Sequence, residues 1–237
     1  MKERPNEAAN TADFEFSALA EARNYPRALI REFSPFLKGR VIEIGGGIGQ
    51  MTTLLRQVPT IETLQCIEPD KQFCEMFKKT HPDQPLICGT IDDIPQGTEW
   101  DALFSVNVLE HIREDELELG KYKKLLSKRR GTVNLFVPAR QEIYASIDGD
   151  FGHHRRYSKP ELKRKLEAAG FEIVRLKYFN WVGYFAWWLN FCVLKQRKFN
   201  PGGVRLFDRV IFPVVNWTET NITPPPFGQS LVAVARA

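Results

Sequence analysis

The chain has 237 residues, 43% of them hydrophobic and 26% charged, with a formal net charge of +4. That length suits one well-buried α/β domain and is short for two. The Lys and Arg are spread along the chain with no dense tract, which argues against a nucleic-acid partner. The four cysteines, Cys66, Cys74, Cys88 and Cys192, contain no C-x-x-C pair and read as buried free thiols of a cytoplasmic protein. The opening M-K-E-R-P-N-E is too polar for a secretory leader.

Residues 1–12 are expected to be disordered. Over residues 13–37 the apolar positions Phe14, Phe16, Leu19, Tyr25, Leu29, Ile30, Phe33 and Phe36 fall mainly at helical spacings, with Pro26 and Pro35 marking breaks or first turns. Next comes R-V-I-E-I-G-G-G-I-G-Q-M-T, residues 40–52. Val41, Ile42 and Ile44 read as a buried parallel strand. A glycine turn follows, then a helix with Met51, Leu54, Leu55 and Val58 on one side. Glycines let a ligand approach the main chain where a Cβ would collide. A dinucleotide fingerprint wants a third small residue where Gln50 stands. The spacing present is Gly45, Gly47, Gly49, preceded by Glu43. A carboxylate there has no evident use for a pyrophosphate and suits a ligand carrying an ammonium and a sulfonium.

The E-I-G-G-G-I-G stretch resembles motif I of the class I S-adenosylmethionine-dependent methyltransferases, and later segments extend the likeness to the small-molecule and ubiquinone-type members. The resemblance implies an α/β fold: a Rossmann-like, doubly wound, seven-stranded sheet, mostly parallel with the last strand antiparallel. One domain would span 1–237, with an N-terminal helical cap over 1–38, a cofactor-binding core over 39–180, a helical, aromatic insertion over 181–228 and the last strand over 229–237. The implied cofactor is S-adenosylmethionine. Gly45, Gly46, Gly47 and Gly49 would lie under its methionine moiety and Glu43 would act on its amino group. The N-terminal helices would help close the site, making Asn24 and Tyr25 lid candidates, unless Tyr25 is simple core packing.

Residues 61–67 read as a second strand with Glu68 at its end, followed by Pro69. A carboxylate about twenty residues past the glycine turn can accept both ribose hydroxyls; otherwise Glu68 caps the next helix, over residues 70–80. A third strand over 85–88 leads to a loop that, by the resemblance, holds adenine. Ile91 would be its apolar wall and Thr90 or Asp92 its polar partner, though many relatives have Asp where Thr90 stands. The run W-D-A-L-F-S-V-N-V-L-E-H-I, residues 100–112, ends a strand at Val106 and Asn107. It resembles motif IV in its V-L-E-H form, which would turn Asn107 and Val108 toward the cofactor. It is not N-P-P-Y or D-P-P-Y, which speaks against DNA methylation. His111 is either a general base or a cap of the following helix.

That helix, residues 114–126, has an acidic first turn and a basic last turn matching its macrodipole. After a fifth strand over 131–137 comes an aperiodic connection, residues 139–158, containing G-D-F-G-H-H-R-R-Y-S. Long loops of this kind are commonly functional. His153 or His154 could act as a base, and Arg156, beside Tyr157, could pair with a phosphate or carboxylate of the acceptor. The alternative is a solvated loop tied down by arginine to Asp148 or Asp150. No metal is expected, since adjacent histidines do not easily share one ion and no Cys or second acidic cluster stands nearby in sequence. Ser158 and Glu161 form a capping box, with Pro160 at the helix start. The helix ends at Gly170 and a sixth strand follows over 171–178.

Residues 178–194 contain no charge and are crowded with aromatics. They read as a strand end and pocket-forming helix bringing Tyr178, Asn180, Trp181 and Trp187 to the acceptor, or as an interfacial helix followed by Lys195, Arg197 and Lys198. The second reading would give peripheral membrane or lipid contact through 181–198. A second helix is expected over 204–217 and the last strand over 230–235. The function the resemblance implies is methyl transfer to a small-molecule or lipid-linked acceptor, with O-methylation preferred to N-methylation on the resemblance and the available histidines. An NAD-dependent oxidoreductase is opposed by Gln50 and by the lack of a Y-x-x-x-K pair; a nonenzymatic partner or membrane module is the remaining alternative.

Overall fold

Alternation along the central strands sets the architecture. Val41 and Phe104 project to one side of the sheet, Ile42 and Leu103 to the other, and both sides are apolar because both are covered by helices. The computed structural model describes residues 22–237. The expected disorder of 1–12 and the positions Phe14, Phe16 and Leu19 lie outside the described residues.

Seven strands form one sheet: β1 (Gly39–Ile44), β2 (Ile61–Glu68), β3 (Leu86–Cys88), β4 (Ala102–Val106), β5 (Thr132–Pro138), β6 (Glu172–Phe179) and β7 (Ser230–Arg236). Their order is β3-β2-β1-β4-β5-β7-β6. Strands β1 to β5 pair in parallel, and β7 enters antiparallel between β5 and β6. The order reverses beside β1, so the carboxyl ends of β1 and β4 flank the crevice where open α/β sheets take ligands.

On one side of the sheet, Leu29 and Phe33 of α1 (Asn24–Phe33) and Leu55 of α2 (Gln50–Leu55) pack on Val41, Phe104 and Phe136. On the other, Tyr122 and Leu126 of α4 (Asp115–Ser127) and Leu162 and Leu166 of α6 (Lys159–Ala168) pack on Leu103 and Leu135. The expected capping box of α6 forms from Ser158 and Glu161, whereas the cap of α3 (Lys71–Thr80) is Asp70 rather than Glu68, accepting from the N–H groups of Gln72 and Phe73.

Two regions differ from expectation. The 139–158 connection is not wholly irregular: it contains a turn at Gln141–Ile143 and the short helix α5 (Ser146–Asp150). Polar bonds hold it, which is why no apolar period shows in its sequence. The insertion is more helical than expected, with α7 (Trp181–Trp187) running into a π-helical turn at Trp188–Val193, and α8 (Pro201–Leu206) continuing through a second π turn, Phe207–Ile211, into α9 (Phe212–Asn221).

The insertion also clamps the N-terminal helix. The buried Asp208 carboxylate accepts from the backbone N–H groups of Arg23 at 2.8 Å, Asn24 at 3.0 Å and Tyr25 at 2.8 Å, supplying α1 with an N-terminal acceptor from 184 residues away. Asp208→Ala is expected to lower stability in urea unfolding by about 1–2 kcal/mol, with Asp208→Asn recovering part of the loss.

Candidate active site

The glycine turn is tight enough to exclude side chains. Gly45 has φ +76°, and a Cβ on it would stand 2.3 Å from Val108 Cγ2; Gly49 has φ +91°, and a Cβ there would stand 2.5 Å from the His81 ring. The N–H groups of Gly45 and Gly46 both donate to the Ile67 carbonyl at 2.9 Å, pinning the turn to the end of β2. Glu68 completes that link: Oε2 accepts from Gly47 N–H at 2.8 Å and Oε1 from Asp70 N–H at 2.9 Å. Each of these oxygens keeps a second lone pair, so the carboxylate can still receive two hydroxyl donors. Burial pushes the Glu68 pKa upward.

Glu43 lies deeper, between α2 and β2. It accepts from Thr52 Oγ1–H at 2.5 Å and from Cys66 Sγ at 3.2 Å, and burial pushes its pKa up to about 7. At the adenine end, Ile91 is buried while Thr90 caps its own turn, accepting from Asp92 N–H; Asp93 in turn accepts from Thr90 N–H at 2.7 Å. Asp92 is exposed and ion-paired with Lys121 at 2.5 Å. Asn107 ends β4 in a left-handed conformation, φ +51°, with its N–H donated to the Phe136 carbonyl.

A cavity of about 360 Å³ opens from Asn107 and Pro138, at the ends of β4 and β5, and runs between the 139–158 connection and the insertion. Tyr25, Phe151, His153, Arg156, Asn180, Trp187 and Phe191 are among its walls. One buried carboxylate organises the polar part. Asp148 accepts from Arg156 Nε–H at 2.8 Å, from Ala145 N–H at 2.9 Å and from His153 Nδ1 at 3.0 Å. A carboxylate at Nδ1 orients the ring with that nitrogen as the donor, so in the neutral imidazole the lone pair is on Nε2. Nε2 is buried, without a hydrogen bond, 3.8 Å from Glu110 Oε1. The Arg156 guanidinium lies 4.2 Å above the Trp187 ring.

The methyltransferase-domain family matches residues 18–176 of this chain. The chain belongs to the S-adenosylmethionine-dependent methyltransferase family. Among solved structures, the partner of the Trm112 methyltransferase activator in a complex from Haloferax volcanii shares 17% identity over 100% of this chain and 99% of that one, with a TM-score of 0.65. A TehB-like S-adenosylmethionine-dependent methyltransferase from Corynebacterium glutamicum shares 17% identity over 98% of each chain, with a TM-score of 0.58. At these identities the likeness is one of fold. Ribosomal RNA small subunit methyltransferase A of Chlorobaculum tepidum is 35% identical over 65 residues, so the match spans 23% of that curated relative and 27% of this chain.

The cofactor of this methyltransferase is S-adenosylmethionine, and the cradle fits it: the turn admits no Cβ at Gly45, Glu68 retains acceptor capacity for the ribose, and Asn107 and Val108 stand across from the glycines. Of the residues read as acceptor or catalytic candidates, the structure brings Tyr25, His153, Arg156, Asn180 and Trp187 to one cavity. It sends the others elsewhere. Tyr157 is fully buried and donates its hydroxyl to Asp115 at 2.8 Å, an interior strut rather than a cavity wall. Tyr178 packs in the core with its hydroxyl near Lys159 N–H, Trp181 faces outward against Phe185, and His154 is exposed; Pro69, expected beside the cofactor, is exposed next to Glu68 at the end of β2. His111 is not among the cavity walls and stands with its ring edge-on to His153; partial burial and the neighbouring His153 and His154 lower its pKa to about 4, so it is neutral and weakly basic.

Arg156 takes the tethering alternative, bonded to Asp148, while still lining the cavity. One grouping and one exposure were invisible in the sequence. Glu110, His111 and His153 bring ligand atoms within 4.8 Å of one another, an arrangement able to hold a cation. Cys88 is exposed, unlike the buried Cys66 and Cys74, because β3 lies at the sheet edge.

Two outcomes follow from the cradle. Glu68→Ala is expected to weaken S-adenosylhomocysteine binding roughly 100-fold by calorimetry, since two charge-assisted acceptor positions go. For Glu43, the folded pKa of about 7 exceeds the ordinary 4.5, so its contribution to stability is full below 4.5 and lost as pH rises through 7. Glu43→Gln should flatten that decline, which is worth up to about 1.4 kcal/mol per pH unit, in urea unfolding followed from about pH 5 to about pH 8.

Proposed function

We propose that this methyltransferase methylates a hydroxyl on a small acceptor bearing an apolar or ring-containing part, with His153 receiving the proton. The observation that carries this reading is His153 itself. It lines the cavity that begins at Asn107, it is oriented by Asp148, and its Nε2 has no other hydrogen bond. S-adenosylmethionine supplies a methyl group already activated on sulfur, so the protein's task is alignment and proton removal. Asn107 and the glycine turn set the donor end. Trp187, Phe191 and Phe151 offer the apolar wall, and Tyr25, whose hydroxyl is kept protonated by burial, offers a donor near Asn180 and Ser230. As the oxygen–methyl bond forms and the sulfur–methyl bond breaks, the hydroxyl proton passes to Nε2. The mixed, mostly apolar lining and the absence of a basic tract favour such an acceptor over the ribosomal RNA named for the curated relative.

His153→Gln is expected to lower kcat roughly 100-fold or more while leaving S-adenosylhomocysteine affinity unchanged, with the loss smaller for more acidic phenols than for alcohols. An amine acceptor insensitive to this substitution would show N-methylation instead. A chelator separates a second reading: if EDTA abolishes turnover and a divalent cation restores it, Glu110, His111 and His153 act as ligands rather than His153 as a base.

A further inference from the structure

Twelve of the fifteen large apolar side chains that the described residues leave exposed lie within residues 181–222. Their spacing is ordered. Leu206, Val210, Val214 and Trp217, between 58% and 64% exposed, repeat at helical intervals along one side of residues 201–221. The buried side of the same stretch carries Asp208, Phe212, Val215 and Glu219. The usual amphipathic arrangement is therefore inverted for charge: the acids point inward and the apolar groups outward. Both acids are occupied there, Asp208 by the N–H groups that open α1 and Glu219 by those of Asn180 at 3.0 Å and Trp181 at 2.8 Å. On α7 and its π turn, Trp181, Phe185 and Trp188 repeat the pattern, exposed opposite the buried Gly183, Trp187 and Phe191.

The charges left outside are all of one sign. Lys195, Lys198 and Arg209 are exposed around the apolar stripes, and Arg197 pairs with Asp150 of α5. A two-fold contact with a second copy would set these cations against one another. An anionic bilayer complements both features, since tryptophans settle at the headgroup level and nearby Lys and Arg are drawn to anionic headgroups. No helix among the described residues is long and apolar enough to cross a membrane, which leaves contact with the surface.

We propose that the outward stripes of residues 181–222 lie on an anionic lipid surface, with the acceptor cavity opening onto that surface. Leu206 and Ile211 belong to both the exposed face and the cavity lining, so the mouth of the cavity is part of the docking face. This goes beyond the acceptor chemistry proposed above, and binding can be read without turnover.

The test uses the whole chain with vesicles of phosphatidylcholine alone and of phosphatidylcholine with phosphatidylglycerol, followed by cosedimentation and tryptophan fluorescence. Partition onto the anionic vesicles is expected, falling with added salt, with a blue shift from Trp181, Trp188 and Trp217, while Trp100 and Trp187 are already buried. Lys195→Glu with Lys198→Glu should weaken partition roughly tenfold or more, and Trp188→Ser with Trp217→Ser should weaken it on both charged and neutral vesicles. S-adenosylhomocysteine binding checks that each variant remains folded. No partition of the parent chain, or partition unchanged in folded variants of both kinds, overturns the proposal. So does a concentration-dependent dimer that the Trp188 and Trp217 substitutions abolish.

Discussion

The layer above the sheet depends on a fully buried carboxylate, Asp148. An isolated charge inside a protein is unfavourable by several kcal/mol unless it is paired and hydrogen-bonded. Asp148 meets that condition by drawing in the Ala145 N–H, the His153 imidazole and the Arg156 guanidinium. The connection between β5 and α6 is thereby folded around one point. From there the order spreads outward. Arg156 stacks over Trp187, and the Trp187 indole N–H donates to the Ile143 carbonyl at 3.0 Å, so the loop and the insertion are fixed against each other.

Other buried acids work alike at longer range. Asp115 receives the Tyr157 hydroxyl and the Lys165 ammonium, joining α4 to α6 and to the start of that helix. Asp208 ties the insertion to α1, and Glu219 ties α9 to the first turn of α7. The sheet is held by apolar packing on both faces, whereas the roof of the cavity is held largely by carboxylates meeting backbone N–H groups. Directional bonds of this kind fix orientation, which is what a transfer reaction requires of its walls.

Local signals survive in sequence; distant ones do not. The strands themselves, the glycine turn, Glu68 at the end of β2 and the Ser158 capping box each depend on neighbours within a few residues or on a recurring period, and each is where its pattern places it. Tyr157 reads as a substrate contact because it stands in the H-H-R-R-Y run of a long aperiodic connection, yet its partner Asp115 stands 42 residues earlier. The helix α5 reads S-I-D-G-D and has neither apolar period nor strong propensity; it forms because Asp148 is needed at its centre. The convergence of Glu110 on His153 required the fold itself, since 43 residues separate them.

The modest overall charge concealed the asymmetry of the insertion for the same reason. Counted along the chain, Asp208 and Glu219 offset two of its cations; in space they are interior caps and offset nothing at the surface. A surface that is apolar, aromatic and cationic around a cavity mouth also bears on the energetics of the acceptor. Lifting an acyl or prenyl chain out of a bilayer into water is unfavourable by about 0.8 kcal/mol per methylene. On the docking and chemistry proposed above, the enzyme would need only to draw a reactive headgroup toward Asn107 and His153, leaving its chain in hydrocarbon. The apolar stripes outside and the apolar walls inside would then form one continuous path, with Asn107 and His153 at its end.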